Sequence, residues 1–194
     1  MTAEGRETDE DIAARAKTGD RHAFDLLVQR HKEELYRFVR RYVGQSDDAQ
    51  DVLQNCLLSA WTGLARYDPA RPFIAWLRIV ALNKCRDFGR RQTVRRMLLR
   101  AFTADAAGYD RVEVSADARD SEAEYSERLT RLDRAIWELP ALYKDPLLLT
   151  AVSGLTQLEA AEILKTTPKA VEMRLYRARR KLLAVLERHQ AEKN

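Results

Sequence analysis

Apolar residues in the first part of the chain recur every three or four positions. The first such stripe ends near Gly44 and consists of Phe24, Leu27, Val28, His31, Leu35, Phe38, Val39 and Tyr42. This spacing places its members on one face of a long amphipathic helix, which predicts His31 as a core residue. A shorter helix around Asp11–Lys17, closed by Gly19, is predicted to precede it.

A second stripe predicts another helix that starts at Ser46 or Asp47. Its buried side consists of Val52, Leu53, Cys56, Leu57, Ala60, Trp61 and Leu64. Asp47 and Asp48 suit the positive N-terminal end of a helix. Asp51 and Gln54 lie away from the apolar stripe, so we expect their side chains to face solvent.

The third predicted helical segment is apolar in its first half and basic in its second half. Residues 67–72 form a loop, because two prolines interrupt any helix there. The apolar residues of the helix that follows are Phe73, Trp76, Leu77, Ile79, Val80 and Leu82. Its far half, as one helix or two in line, is strongly basic: Lys84, Arg86, Arg90, Arg91, Arg95, Arg96 and Arg100 are opposed only by Asp87. A basic run is commonly a solvated face, but aromatic and basic residues together can also hold unstacked bases.

Residues 103–127 are acidic and poor in large apolar side chains, which predicts a flexible acidic linker. The acidic residues in it are Asp105, Asp110, Glu113, Asp117, Asp120, Glu122, Glu124 and Glu127. The chain is therefore predicted to be all-α, with two small helical domains over residues 10–102 and 128–188.

The second domain carries the pattern of a helix-turn-helix. Its opening helix, with Leu129, Leu132, Ile136 and Leu139, stops at Pro140, and a second helix is predicted from about Lys144 to Val152. The run Thr156-Gln-Leu-Glu159 is a capping box, which starts a short helix that ends at Lys165-Thr-Thr167. Pro168 suits the first turn of a long last helix, in which Val171, Leu175, Leu182 and Leu183 are predicted to face inward.

The other face of that last helix is basic, with Lys169, Arg174, Arg177, Arg179, Arg180 and Lys181. A DNA major groove admits such a helix, and cationic side chains gain by releasing counterions from phosphates. An ordinary solvated bundle helix would also be amphipathic. The capped short helix before it favours the DNA-binding interpretation.

Composition excludes several other classes of protein. Charged residues make up 33% of the 194 residues and the net charge is only +4, so the basic character is local rather than global. Cys56 and Cys85 have no metal-ligand spacing and are expected to be buried free thiols. The polar N-terminus and the lack of a long apolar run predict a cytoplasmic protein without a signal or membrane span. The three histidines are scattered and no phosphate-binding loop is present, so we expect no enzymatic activity, metal or cofactor.

In its sequence motifs, the chain resembles the bacterial extracytoplasmic function (ECF) sigma factors of the sigma-70 family. The resemblance covers about residues 10–186 and rests on three blocks in order: residues 47–55 (DDAQDVLQN), residues 72–87 (PFIAWLRIVALNKCRD), and Glu138-Leu-Pro140 together with residues 155–182. The helix-turn-helix alone is shared with many regulators, whereas the three blocks with a linker between them are specific. The resemblance implies a sigma region 2 domain at 10–102 and a sigma region 4 domain at 128–188.

The resemblance also implies roles for individual residues. Those expected to dock on the clamp helices of core RNA polymerase are Asp48, Asp51, Val52, Gln54 and Asn55. Those expected at the −10 promoter element are Tyr67, Trp76, Asn83, Lys84, Arg86, Arg90 and Arg91, with Asn83 and the loop before Phe73 capturing a flipped base. Those expected at the −35 element are Lys169, Glu172, Met173, Arg174, Tyr176, Arg177 and Arg180.

The implied partners are core RNA polymerase, through its clamp helices and flap, promoter DNA, and an inhibitory anti-sigma factor. Glu172 is acidic where the family commonly has a cation. It could accept a hydrogen bond from a cytosine amine or pair locally with a neighbour such as Arg174, and the local role is favoured.

The main alternative function is a stand-alone helix-turn-helix regulator that binds duplex DNA as a dimer. A purely structural helical adaptor is disfavoured by the two basic surfaces.

Overall fold

The computed structural model describes residues 7–102 and 131–191, and its regular structure there is helical. The first range contains α1, Asp9–Lys17; α2, Arg21–Val43; α3, Ser46–Gly63; a 3-10 turn, Leu64–Arg66; and α4, Phe73–Phe102. The second range contains helical residues 131–138, here α5; α6, Ala141–Ala151; α7, Gln157–Leu164; and α8, Pro168–Ala191. The all-α prediction is confirmed. The predicted linker over 103–127 and the residues 128–130 lie outside the described residues.

The first helix begins earlier than the sequence predicted, because Thr8 and Asp11 form a capping box. The Thr8 hydroxyl accepts a hydrogen bond from the Asp11 amide at 3.1 Å, and the Asp11 carboxylate accepts one from the Thr8 amide at 3.3 Å. The helix therefore starts at Asp9. This arrangement satisfies two of the backbone donors that a helix start leaves without partners.

The α2 helix follows its predicted stripe closely. Leu27, Leu35, Phe38 and Val39 are buried, and each such side chain contributes about 1.5–3 kcal/mol by leaving water. His31 lies at the edge of the core, on the predicted stripe: its side chain is 13% exposed and its ring centroid is 6.0 Å from that of Phe73. Its Nε2 also lies 2.6 Å from a carboxylate oxygen of Asp9.

The α3 and α4 helices complete the first bundle. Their buried residues include Val52, Leu53, Cys56, Phe73 and Leu77. Burial raises the pKa of the Cys56 thiol to about 12, and it also raises the pKa of the Cys85 thiol. Both cysteines are free, as predicted, and such protonated thiols are poor nucleophiles.

The second bundle contains the predicted helix-turn-helix. The Thr156 hydroxyl accepts from the Glu159 amide at 3.2 Å, and the Glu159 carboxylate accepts from the Thr156 amide at 2.8 Å. After α7, Lys165 adopts a left-handed conformation with φ of 51°, which turns the chain toward α8. The capping box and the helix start at Pro168 are confirmed.

Two details of the second bundle differ from the sequence prediction. The α6 helix begins at Ala141 rather than near Lys144, with Pro140 at its N-cap and Pro146 inside it. Leu183 is 59% exposed and does not pack inward, whereas Val185 is buried. Leu182 packs against the core, and Leu183, about 100° further around the helix, lies toward solvent.

The two bundles are in contact through α2 and the α5–α6 segment. Gly44, which ends α2, has a φ of +94°, a conformation that side chains with a Cβ rarely adopt. The indole of Trp137 packs so closely that a Cβ at this position would lie 2.6 Å from its Cδ1 atom. Gly44 therefore allows both the sharp turn after α2 and the close approach of the second bundle.

Candidate nucleic-acid interface

A groove of about 330 Å³ lies between α3 and α4. One wall consists of residues on α3: Asp48, Asp51, Val52 and Asn55. The other wall consists of residues on α4: Lys84, Asp87, Phe88, Arg91, Gln92 and Arg95. The groove therefore joins residues that the sequence assigned to two separate roles, because the docking helix and the basic helix pack side by side.

The α3 wall is acidic and partly desolvated. Burial raises the pKa of Asp48, and the nearby carboxylates of Asp51 and Asp47 raise it further, while Arg95 opposes them. Asp51, Gln54 and Asn55 are exposed, as expected for a docking face. Val52 is 5% exposed, so it supports the helix from within rather than lying on its surface.

The α4 wall carries the predicted cationic residues in different states. Asn83 and Arg91 are exposed, and Lys84 is half-buried. Arg90 pairs with Asp87 one turn earlier on the same helix. Arg86 is held by Asp145 of α6, with its Nη2 at 2.7 Å from a carboxylate oxygen. Lys84 and Arg91 thus line the groove, Asn83 is exposed on the same helix without lining it, and Arg86 is partly withdrawn by its pair with Asp145.

Two aromatic residues predicted to contact DNA lie in the core or at its edge. The Tyr67 ring is 1% exposed, and its hydroxyl donates to the Arg71 carbonyl at 2.6 Å. The Trp76 ring is half-buried and packs 5.5 Å from the Tyr67 ring and 5.6 Å from the Phe73 ring, centroid to centroid. The structure does not bring Tyr67 to the surface; its ring instead fixes the loop before α4.

The last helix presents the predicted recognition residues on its exposed side. Lys169, Met173, Tyr176, Arg177 and Arg180 are exposed, and Arg174 is half-buried. The Arg180 guanidinium lies 5.9 Å from the centre of the Tyr176 ring. Glu172 accepts from Lys169 Nζ at 2.8 Å, so its carboxylate has a local partner, though not the predicted Arg174.

Comparisons with known proteins find a family match for each of the two bundles. Residues 27–95 match the family described as Sigma-70 region 2, and residues 129–182 match Sigma-70, region 4. The RNA polymerase sigma factor NccH of Alcaligenes xylosoxydans xylosoxydans is 39% identical over 184 residues, 94% of this chain and 96% of that protein. The ECF RNA polymerase sigma factor SigM of Mycobacterium tuberculosis is 31% identical over 181 residues, 92% and 85% of the two chains.

The chain belongs to the sigma-70 family, as an ECF sigma factor. It therefore binds core RNA polymerase and directs it to promoters. A solved structure of the sigma factor CnrH, in complex with the cytosolic domain of CnrY, has a similar fold: the TM-score is 0.66 and the identity 32%, over 92% of this chain and 97% of that chain.

Several residues of this sigma factor were missed by the sequence prediction. Gln92 and Arg95 line the groove between α3 and α4 and had no assigned role there. Asp145 and its partner Tyr42 join the two bundles, at 2.9 Å between the phenol and the carboxylate. The sequence held one signal for Asp145: with Lys144, it is a charged residue set in an otherwise apolar helix.

Neither a membrane-crossing helix nor a metal site emerges within the residues that the structure describes. No helix there is both long and apolar enough to span a bilayer. No group of three or more His, Cys, Asp or Glu side chains in the same ranges could hold a metal ion.

Proposed function

We propose that this sigma factor docks on polymerase with the exposed face of α3 and holds melted −10 DNA on the adjoining face of α4. The observation that supports the proposal is the shared groove, because Asp51 and Asn55 of α3 line it together with Lys84 and Arg91 of α4. Polymerase seated on α3 would thus lie beside the DNA surface. The exposed carboxylate and amide side chains of α3 suit a polar docking surface.

The −10 contact that we propose centres on Asn83. Its exposed amide can both donate and accept hydrogen bonds, which is what recognition of the edge of an unpaired base requires. Taking a base out of the stack costs a few kcal/mol, so a contact made only by the extruded base favours opening. Lys84 and Arg91 supply phosphate contacts, which add affinity but no sequence information.

The −35 contact that we propose uses α8. Met173, Tyr176, Arg177 and Arg180 recur at spacings of three or four and are exposed, so they share one face of the helix. Helices in this position place their N-terminal half against base edges in the major groove. Arg177 and Arg180 would bind bases or phosphates there, and Lys169 would bind a phosphate near the helix start.

We also infer an anti-sigma partner and a cytoplasmic location. The related sigma factor CnrH has been solved with the cytosolic domain of CnrY, which supports a similar inhibitor for this chain. Polymerase and promoter DNA are cytoplasmic, so the protein would act there. It would act by binding rather than by catalysis, since the surfaces described above are binding faces.

The proposal can be tested with purified core polymerase and a promoter duplex. The expected result is a complex of one sigma chain with core enzyme that makes −10 thymines reactive to permanganate. Gln54→Ala, on the exposed face of α3, should weaken assembly, whereas Gln29→Ala, an exposed amide on α2, should not. Tight binding of a palindromic duplex by a dimer without polymerase would instead support the stand-alone regulator.

A further inference from the structure

Asp145 is a buried carboxylate at the contact between the two bundles. Its side chain is only 5% exposed although it lies on α6 of the second bundle. One carboxylate oxygen accepts from the Tyr42 hydroxyl at 2.9 Å, and the other accepts from Arg86 Nε at 2.8 Å. Both partners belong to the first bundle, so all three contacts of this cluster, including the Arg86 Nη2 ion pair, cross between the bundles.

The neighbouring residues close the same contact. Lys144 Nζ donates to the Trp137 carbonyl at 2.6 Å and to the Tyr42 carbonyl at 3.4 Å. It also lies 5.0 Å from the centre of the Tyr42 ring. Burial and the Asp145 charge raise the pKa of the Tyr42 phenol, which keeps its proton available for donation.

A contact of this kind is specific but reversible. A buried carboxylate is costly unless it is paired, so the closed arrangement depends on both partners. When the bundles separate, however, Asp145 and Arg86 can each be hydrated by water. The same contact also has an apolar part, in which the Trp137 indole packs against Gly44.

Arg86 links this contact to DNA binding, because it is also one of the residues assigned to the −10 surface. A guanidinium whose charge is already paired with the Asp145 carboxylate contributes less to neutralising a phosphate. We propose that Asp145 is an interdomain latch: it holds the free sigma factor closed through Tyr42 and Arg86 and withholds Arg86 from DNA. This inference rests on the proposed −10 role of α4.

The latch can be tested on the full-length chain without polymerase. The variants are Asp145→Asn, which removes the charge with little change in shape, and Tyr42→Phe, which removes only the hydroxyl. Glu162→Gln, an exposed carboxylate on α7, is the matched control. Small-angle X-ray scattering should give a larger radius of gyration for both latch variants and an unchanged value for the control.

Fluorescence anisotropy with a short single-stranded oligonucleotide then measures whether separation of the bundles raises the affinity for single-stranded DNA. Loss of one charge-assisted contact should raise the affinity of Asp145→Asn about tenfold, because a larger fraction of molecules is competent to bind. The slope of log affinity against log salt should steepen by about 0.7 for the one phosphate contact that Arg86 adds. In the double variant with Arg86→Gln, the chain should remain expanded but lose this gain.

Three outcomes would overturn the latch. Unchanged dimensions in both variants would show that the cluster does not hold the bundles together. Expansion without a gain in affinity would show that Arg86 is not withheld, and a gain that persists in the double variant would exclude Arg86 as its source. Promoter opening by wild-type chain with core polymerase is measured separately, so a failure of the proposed function would be recognised independently.

Discussion

The two basic surfaces of this protein differ in how their charges are held. On α4, Arg86 is paired with Asp145 and Arg90 with Asp87, and the acidic wall of α3 lies across the groove. Among the ion pairs of the residues that the structure describes, one involves an exposed cation of α8: the pair between Lys169 and Glu172 on the same helix. We therefore expect the α8 surface to bind duplex DNA as it stands, whereas the paired arginines of α4 must first be released.

This difference matches the two tasks proposed for the surfaces. A duplex presents phosphates at fixed positions, so a preformed cationic face can bind it directly. Unpaired bases appear only as the promoter opens, and premature phosphate binding by α4 would not distinguish promoters from other DNA. We therefore expect the pairing within α4 and across to α6 to reduce such binding.

The largest effect is expected for Asn83→Ala, which removes the proposed base contact on α4. Open complexes should fall on the order of 30-fold, because the Asn83 amide no longer offsets the cost of unstacking a base. Polymerase binding should be unchanged, since Asn83 lies on α4 and not on the α3 face proposed to dock on polymerase. Permanganate reactivity of the −10 region measures opening, and equal reactivity in the variant and the wild type would remove Asn83 from this role.

A smaller effect is expected for Arg177→Ala on the exposed face of α8. Loss of a base contact costs about 1–3 kcal/mol, so transcription from a promoter with a −35 element should fall about tenfold. Arg21→Ala is the matched control, because it removes an exposed arginine from α2 in the first bundle. If a promoter without a −35 element loses as much activity, Arg177 does not read that element.

A smaller effect, on the stability of the second bundle, is expected when the Thr156 capping box is removed. Thr156→Ala removes the hydroxyl that accepts from the Glu159 amide and should lower the free energy of unfolding by about 1 kcal/mol. Thr8→Ala is the equivalent change in the first bundle. Thermal unfolding followed by circular dichroism measures both. Because α7 positions α8, Thr156→Ala alone should also weaken −35-dependent transcription, and an equal loss for both variants would contradict this.

The smallest effect is expected for Glu172→Gln. Its pair with Lys169 is exposed, and such pairs within a helix contribute only about 0.3–0.5 kcal/mol. Freeing Lys169 should tighten duplex binding about twofold without changing sequence preference. Gel-shift titration against duplexes that differ at single positions provides the measurement. Relaxed preference at one C·G pair would mean that Glu172 reads a base instead.

The sequence predicted local features well because their causes are local. The stripe from Leu27 to Tyr42, the Thr156 capping box and the start of α8 at Pro168 depend on residues a few positions apart. Leu183 was misplaced because two adjacent leucines fit the pattern almost equally. The exposure of Asn83 agrees with its proposed role, but its contact with DNA remains a prediction.

Contacts between distant segments could not be predicted in the same way. Tyr42 and Asp145 are 103 positions apart, and Tyr42 fits its apolar stripe whether or not its hydroxyl has a partner. Tyr67 was assigned to DNA because aromatic residues near a basic run can stack on bases. Its burial depends on Phe73 and Trp76, which close around it only in the folded bundle.

The account depends most on the two surfaces acting on separate promoter elements in one polymerase complex. Run-off transcription by core polymerase and this sigma factor on a randomised promoter library tests that directly. The account predicts that the transcribed promoters share two separated sequence blocks, with the upstream block lost in Arg177→Ala and the downstream block weakened in Asn83→Ala. Enrichment of one palindromic block, or of promoters that both variants transcribe like the wild type, would contradict it.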